Sequence, residues 1–314
     1  MKVKLITHTD FDGVGCAILA KHVFGEANVN VTFCDYSDMP NVVKPAVEAG
    51  LLYDRVFITD LNLPQDIVDY IDGVNKYNRI LLFDHHIQSL PYNNFSWVTA
   101  REFNDSGAKT CGTELFYNYL KNNQAGFIDT PVLQQFVKYV NYYDTWVWQN
   151  NGADGDMAKK LNDLLYIYGR YTFIYKMLHY LSKSVVKYSL SSIDRVVTDV
   201  RDREIQEYID AKDKQLKIVK VEEYTVGVVF AERFTSQLGN ELCRRHSEID
   251  FVAMICPEYS SVSFRTVKDI DLSEFAARYG GGGHKAAAGM QIDTDKLDNF
   301  VEDIFARYTE WPNI

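Results

Sequence analysis

Three short motifs of carboxylates and imidazoles each follow a β-rich run: HTDFDG at 8–13, ITDL at 58–61 and FDHH at 83–86. Parallel α/β sheets bind ligands outside the carboxyl ends of their strands, and neighbouring strands lie about 4.8 Å apart. We therefore expect the three motifs to meet in one crevice. The candidate ligands and acid–base groups in them are His8, Asp10, Asp12, Asp60, Asp84, His85 and His86.

A fourth acidic residue, Asp144, lies in the helical pattern LQQFVKYVNYYDTWVW. At 3.6 residues per turn it shares a face with Leu133, Val137 and Val140. An ionised carboxylate on an apolar stripe is costly unless it is paired or bound to a cation. We interpret Asp144 as part of the same site, with an ion pair to an arginine or lysine as the simpler alternative.

This set of side chains favours manganese, magnesium or iron over a structural zinc, because it offers carboxylates and imidazoles without a thiolate. The ligands are too many for one ion and suit two ions about 3.5–4 Å apart that share a carboxylate. Such a pair suits phosphoryl hydrolysis. Taken singly, each motif also fits a turn, a helix cap or an ordinary loop histidine, and only the conjunction of all four favours a metal site.

The elements that would position these motifs alternate between strand and helix, which predicts a parallel sheet covered on both faces. The predicted strands are 2–8, 29–34, 55–59 and 79–83. The predicted helices are 13–24, 40–49, 64–73, 108–121 and 131–148.

The polar segment 150–156 marks a break in the pattern. We expect a metal-binding domain over 1–150, a helical connector over 151–217 and a smaller α/β domain over 218–314. The predicted strands of that last domain are 226–231, 251–256 and 260–265, and its predicted helices are 236–245, 272–279 and 294–308.

Composition narrows the class of protein. The chain has 314 residues, with 33 basic and 43 acidic side chains. The net charge of −10 disfavours a long nucleic-acid-binding surface, which needs lysine and arginine. No apolar run approaches the roughly 18–20 residues of a membrane span, and five scattered cysteines favour a reducing cytoplasmic setting. We expect no membrane partner and no long duplex, and the oligomeric state, with a homodimer among the options, stays open.

A glycine-rich motif, GGGGHKAAAGM, spans residues 280–290. Consecutive glycines such as Gly281, Gly282 and Gly283 allow positive φ and close backbone approach, so their N–H groups can hold an anion. His284 follows directly, and Arg265 can offer a bidentate fork to a phosphate. A flexible loop is the alternative for the glycines alone.

HTDFDG, ITD, FDHH and YYDTW resemble, in order, the four motifs of the DHH phosphoesterase superfamily. SFRT at 263–266 and GGGGHKAAAGM resemble the first type of DHH-associated domain. The resemblance covers essentially the whole chain and is closest to the nanoRNase and oligoribonuclease branch.

The resemblance implies two divalent ions, with manganese expected and magnesium or another ion as alternatives. One ion would be held by His8, Asp10 and Asp60, and the second by Asp12, Asp60, His85 and Asp144. Asp84 would orient an imidazole, and His86 would lie near the scissile phosphate. By the same resemblance, Arg265 and His284 hold the far end of a short substrate across an interdomain cleft.

The implied function is a phosphodiesterase that cleaves very short oligonucleotides to mononucleotides, with 3′-phosphoadenosine 5′-phosphate as a candidate further substrate. A phosphodiesterase for cyclic mono- or dinucleotides is the main alternative. A RecJ-like single-strand exonuclease usually carries additional domains, and a family II pyrophosphatase has a different C-terminal domain. A non-catalytic nucleotide sensor is disfavoured because every expected ligand is present.

Overall fold

The computed structural model describes residues 1–183, 185–293, 295 and 299. The strands are β1 (Val3–His8), β2 (Val29–Cys34), β3 (Arg55–Thr59), β4 (Ile80–Asp84), β5 (Val98–Ala100), β6 (Lys217–Val221), β7 (Tyr224–Phe230), β8 (Phe251–Cys256), β9 (Ser261–Arg265), β10 (Gly282–His284) and β11 (Ala287–Gln291). The α-helices are α1 (Phe11–Phe24), α2 (Met39–Gly50), α3 (Gln65–Val74), α4 (Gly112–Asn123), α5 (Pro131–Asp144), α6 (Gly152–Tyr168), α7 (Arg170–Leu181), α8 (Ser192–Asp213), α9 (Thr235–Arg245) and α10 (Leu272–Ala277).

The N-terminal sheet is parallel, with strand order β2-β1-β3-β4-β5. Successive residues alternate between two hydrophobic cores: Leu5 and Phe57 lie in one, Ile6 and Ile58 in the other. Both faces of the sheet are therefore covered, which is why its strands read as continuous apolar runs. The α/β fold class predicted from the sequence is confirmed.

The main differences between the predicted and the observed elements of this region are one missed strand and the ends of two helices. β5 is only three residues long and was not predicted. The helix predicted over 131–148 ends at Asp144, because Trp146 adopts a left-handed backbone conformation with φ of 61°. The helix predicted from residue 108 begins at Gly112.

The C-terminal sheet has strand order β10-β11-β9-β8-β7-β6. Its ladders are antiparallel except for the parallel pair β7 and β8. Two buried clusters form its core, one including Leu238 and Met254 and the other Phe251 and Phe275. The sequence did not predict β6, β10 or β11, and the helix predicted over 294–308 falls almost entirely outside the described residues.

The chain divides into two compact units, Met1–Thr198 and Asp199–Ile314. The segment 151–217, expected as a connector, contributes α6 and α7 to the first unit, because side chains such as Leu164 and Phe173 join that unit's core. The boundary falls inside α8. Among the described residues, none of the helices is both long and apolar enough to cross a membrane.

Candidate metal centre

The candidate centre begins at the ends of three adjacent strands. β1 and β4 flank β3 in the sheet, and His8 ends β1, Asp60 directly follows β3, and Asp84 ends β4. Asp60 is buried with φ of 53°, and its backbone N–H donates to Phe83 O at 2.9 Å. A left-handed conformation in a residue other than glycine is unfavourable and is found preferentially at functional sites. At Asp60 this conformation places a carboxylate at the sheet edge.

Two carboxylates of the HTDFDG motif are fixed by helix N-termini. The Asp10 side chain caps α1 and accepts from Gly13 N–H at 3.1 Å. Asp12 accepts one hydrogen bond at each oxygen, from Gly112 N–H at 2.6 Å and Thr113 N–H at 2.8 Å. Those amides are the first of α4, whose positive dipole end favours an anion. Asp12 therefore has a single defined orientation.

The six candidate ligand side chains converge on two small groups. In the first, His8 Nδ1 lies 3.1 Å from Asp10 Oδ2 and 3.7 Å from Asp60 Oδ2. In the second, His85 Nε2 lies 3.5 Å from Asp60 Oδ1, 3.6 Å from Asp144 Oδ2 and 4.0 Å from Asp12 Oδ2. Asp60 thus offers one oxygen to each group, which is the arrangement of a carboxylate that bridges two ions.

These groups fit divalent cations. Most of the separations exceed a hydrogen-bond length, but ligands held about 2.1 Å from one octahedral ion lie roughly 3–4 Å apart. Among the described residues, nothing donates a hydrogen bond to the buried Oδ2 atoms of Asp60 and Asp144. Burial and the neighbouring carboxylates raise the pKa of both side chains well above the ordinary value. A cation would satisfy these oxygens and remove the repulsion between them.

Asp84 and His86 form a separate hydrogen-bonded pair beside the ligand groups. Asp84 Oδ1 lies 2.7 Å from His86 Nδ1, and Ser89 Oγ donates to the other Asp84 oxygen. Burial alone would raise the pKa of Asp84, but the charge and hydrogen bond of His86 hold it below the ordinary value. The other ring nitrogen, Nε2, lies 3.0 Å from the Tyr36 hydroxyl oxygen. His86 also falls within a possible ligand grouping with Asp60 and His85.

In the second unit, Arg265 and His284 lie in one row across three strands. Both are paired with Ala287, Arg265 from β9 and His284 from β10. Side chains of directly opposed residues project to the same face, and two strand spacings separate these two by roughly 10 Å. The small Ala287 side chain lies between them.

Arg265 has no carboxylate partner among the described residues. Its guanidinium donates to Phe264 O at 2.8 Å and to Ser236 Oγ at 3.0 Å. Burial lowers its pKa to about 10, as is expected for a cation removed from water without a counter-ion. Gly239 of α9 packs against the Arg265 stem, where a β-carbon would lie 2.6 Å from Cγ. The cation is thus held in place and remains suited to an anion.

Comparison with known proteins identifies the family. The N-terminal domain of the DHH family matches residues 2–140, and the DHHA1 domain matches residues 231–310. The chain is 34% identical to oligoribonuclease NrnB of Bacillus subtilis over 307 residues, which are 96% of this chain and 75% of that protein. The chain belongs to the DHH family. This confirms the family that the four motifs and the glycine-rich motif resemble.

Other proteins similar to this DHH protein are named for different activities. A 3′,5′-cyclic-nucleotide phosphodiesterase of Helicobacter pylori is 23% identical over 338 residues, covering 93% of each chain. The fold is similar to RecJ of Thermus thermophilus with Mn²⁺, at a TM-score of 0.60 and 15% identity, covering 99% of this chain and 52% of RecJ. It is also similar to the pGpG-specific phosphodiesterase PggH of Vibrio cholerae, at a TM-score of 0.50 and 16% identity, covering 98% of each chain.

Sequence reasoning missed three residues of the DHH domain that contact the site. Gly112 and Thr113 hold Asp12, whereas the sequence predicted only a helix over 108–121 in this region. Tyr36 contacts His86 and packs against the His8 ring, with ring centroids 4.8 Å apart. Tyr36 follows β2 at the same sheet edge as the motifs, so the strand-end rule that found the motifs also applied to it.

The glycine-rich motif of the DHHA1 domain is partly a strand. Gly281 N–H donates to Ala276 O at 2.9 Å, so that amide is used within the fold. A β-carbon at Gly281 would lie 2.1 Å from Gly289 O, and one at Gly283 would lie 2.6 Å from Ala288 Cα. Close packing of β10 on β11 therefore requires glycine at 281 and 283, whatever ligand the motif binds.

Proposed function

We propose that this protein is a two-metal-dependent phosphodiesterase that hydrolyses very short oligonucleotides to mononucleotides. The observation that carries the proposal is the pair of ligand groups joined through Asp60, whose buried carboxylate oxygens suit two cations. The 34% identity to an oligoribonuclease supports the substrate class.

His8, Asp10 and Asp60 would hold one ion, and Asp12, Asp60, His85 and Asp144 would hold the other. Manganese is the ion we favour, because the oxygen and imidazole donors suit it and a related fold was solved with it. When bound, such a pair of ions activates water and stabilises charge at the phosphorus.

The protein's own groups then control protons and substrate position. Asp84 holds His86 Nδ1 and so fixes the ring. His86 Nε2 lies 3.0 Å from the Tyr36 hydroxyl oxygen, and it would exchange that contact for the leaving oxygen when it donates a proton. Asp12 stays oriented because two amides of α4 donate to it. Arg265 and His284, on one face of the second sheet, would bind a phosphate of the substrate, with Gly282 and Gly283 beside them.

A binding surface formed by Arg265 and His284 alone is small and suits a substrate of a few nucleotides. The net charge of −10 disfavours a long polymer. The five cysteines are all unpaired and buried, which supports a reducing compartment such as the cytoplasm. A cyclic-nucleotide phosphodiesterase is the second candidate, favoured by the Helicobacter pylori relative.

The test is Mn²⁺-dependent product release from an equimolar panel of substrates. The panel holds a 5′-phosphorylated dinucleotide, a five-mer, a 20-mer, a cyclic dinucleotide, cyclic AMP, 3′-phosphoadenosine 5′-phosphate and pyrophosphate. We expect fast mononucleotide release from the dinucleotide and the five-mer, and slow release from the 20-mer. Preference for a cyclic substrate would replace the proposal by the second candidate, and no hydrolysis of any member would refute it.

A further inference from the structure

A cavity of about 310 Å³ opens in the first unit beside the candidate metal centre. Its walls come from three segments that follow β2, β3 and β4, so it lies at the same sheet edge as the motifs. The lining residues are Tyr36, Met39, Pro40, Asn62, Leu63, Pro64, Gln88 and Tyr92. None of them carries a charge, although the neighbouring ligand groups are strongly acidic.

Tyr36 forms the wall that the cavity shares with the metal centre. Its hydroxyl oxygen lies 3.0 Å from His86 Nε2, and its ring is tilted against the His8 ring. A ligand in the cavity is therefore adjacent to the position where the scissile phosphate would lie. Because Tyr36 belongs to the short 3₁₀ turn that follows β2, its position depends on the chain between β2 and α2.

The cavity walls combine flat apolar surfaces with amides. Tyr36 and Tyr92 provide aromatic rings, and Met39 and Leu63 provide buried aliphatic surface. Asn62 contributes a side-chain amide whose oxygen lies 3.3 Å from Ser89 Oγ. Gln88, an exposed residue of the lining, contributes a second amide. Aromatic rings stack on nucleobases, and amides form hydrogen bonds with base edges.

We infer that this cavity binds one nucleobase of the substrate. The base belongs to one of the two nucleosides that the scissile phosphate joins. The inference rests on the proposed function and names the part of the substrate that this face of the site recognises. A phosphate or a metal ion does not suit the cavity, because the cavity walls carry no charge that would balance the charge of either ion. Its volume is at the lower end for ligand pockets and suits one base rather than a second nucleotide.

The first measurement uses the fluorescent nucleotide 2-aminopurine riboside 5′-monophosphate and wild-type protein with Mg²⁺. Stacking on tyrosine should quench the fluorescence in a saturable way. Adenosine 5′-monophosphate should reverse the quenching, and ribose 5-phosphate should not do so at the same concentration. Equal competition by ribose 5-phosphate would overturn the inference without any variant being needed.

The second measurement fills the cavity from two walls. Pro40→Trp and Gln88→Trp replace exposed residues on opposite segments, so the fold need not rearrange. Ala49→Trp places the same side chain at an exposed position of α2 outside the cavity lining and is the control. We expect both filling variants to raise the Kd of the fluorescent nucleotide at least tenfold, and Ala49→Trp to leave it unchanged.

The third measurement separates base recognition from phosphodiester cleavage. Two dinucleotides are compared, each lacking one base, at the 5′ or the 3′ residue. The filling variants should lower kcat/KM at least tenfold for the intact dinucleotide and for one abasic form, and leave it unchanged for the other. The insensitive form identifies which base enters the cavity. Equal losses on all three substrates, or no loss on any, would overturn the inference.

These measurements distinguish the two proposals. If the wild type cleaves none of the panel but binds the fluorescent nucleotide in a way that the filling variants abolish, the base site stands and the proposed function fails. If the wild type cleaves short oligonucleotides and the filling variants behave like Ala49→Trp, the proposed function stands and the base site fails.

Discussion

Asp60 combines three features at the scale of a single residue. It has a left-handed backbone, it is buried, and each of its carboxylate oxygens faces a different histidine. Each feature alone is unfavourable, since the carboxylate is desolvated and lies beside other carboxylates. The combination is understandable if cations bind on both sides of it.

Asp60→Ala should therefore remove both metal sites at once. We expect Mn²⁺ binding by calorimetry to be lost and kcat/KM to fall more than about 100-fold, because removing even a partner of a metal ligand costs 10–100-fold. Asp66→Ala, at an exposed aspartate of α3, is the control. Wild-type Mn²⁺ stoichiometry in Asp60→Ala would contradict the bridging role.

Arg265→Ala tests the proposed contact between Arg265 of the second unit and a substrate phosphate. The guanidinium makes only neutral hydrogen bonds among the described residues, so its loss removes a contact to the substrate rather than a counter-charge within the fold. We expect KM for a dinucleotide to rise about tenfold, with a smaller effect on kcat, as for a group that binds ground state and transition state alike. Arg203→Ala, an exposed arginine of α8, is the control, and an unchanged KM in Arg265→Ala would remove Arg265 from the site.

At the scale of elements, the N-terminus of α4 is the device that orients Asp12. Gly112 makes this possible because a β-carbon there would lie 2.9 Å from Asp12 Oδ2 and 3.0 Å from Asp60 Cβ. The close approach brings one backbone amide within 2.6 Å of the carboxylate. The helix dipole and its first amides thus act directly on a candidate ligand.

Gly112→Ala should displace two candidate ligands without removing either. We expect Mn²⁺ affinity to fall about 10–100-fold, the range seen when the support of a ligand is lost. Gly73→Ala is the matched control, because a β-carbon at Gly73 of α3 meets nothing within 4 Å and alanine favours the helix. Titration calorimetry of both variants gives the comparison, and equal affinities would show that α4 has room to move.

The contact between α8 and α9 gives a pH dependence that is independent of the metal centre. His246, just after α9, lies 2.6 Å from Asp213 at the end of α8, and this hydrogen bond raises the pKa of His246. A raised pKa means that the stabilisation is fully present below the unfolded-state pKa near 6.5 and is lost as the pH rises through the folded-state pKa.

His246→Asn should therefore destabilise the protein more at pH 5.5 than at pH 9. The difference should be less than about 1 kcal/mol, because both side chains of the pair are partly exposed and solvent screens their interaction. Urea unfolding of both proteins at both pH values measures it. A larger effect at pH 9 would reverse the assigned sign.

Strand ends were well predicted from the sequence because buried parallel strands are continuous apolar runs such as RVFIT, and the motifs directly follow them. The contacts that complete the site were not. Gly112 approaches Asp12 across about 100 positions of sequence, and no local pattern encodes that distance. β10 and β11 were missed because glycine and alanine runs lack the β-branched residues that mark strands, and close packing compensates for this.

At the scale of the whole molecule, the candidate chemistry is divided between two compact units. Every candidate metal ligand lies in Met1–Thr198, and Arg265 and His284 lie in Asp199–Ile314. Each unit also has its own buried clusters of apolar side chains. Metal binding should therefore stabilise the first unit directly and leave the second unit's core unchanged.

A ligand that binds only the folded state stabilises it by about 2.7 kcal/mol at 100 times its Kd. We expect saturating Mg²⁺ to slow amide hydrogen exchange in β1, β3 and β4 of the first unit by up to about 100-fold, the factor that corresponds to this energy. Exchange in β8 and β9 of the second unit should not change. Asp60→Ala should abolish the effect, since the protection arises from the ions and not from ionic strength. Equal protection of β8 would show instead that the two units open together, and metal binding would then be coupled to the unit that carries Arg265 and His284.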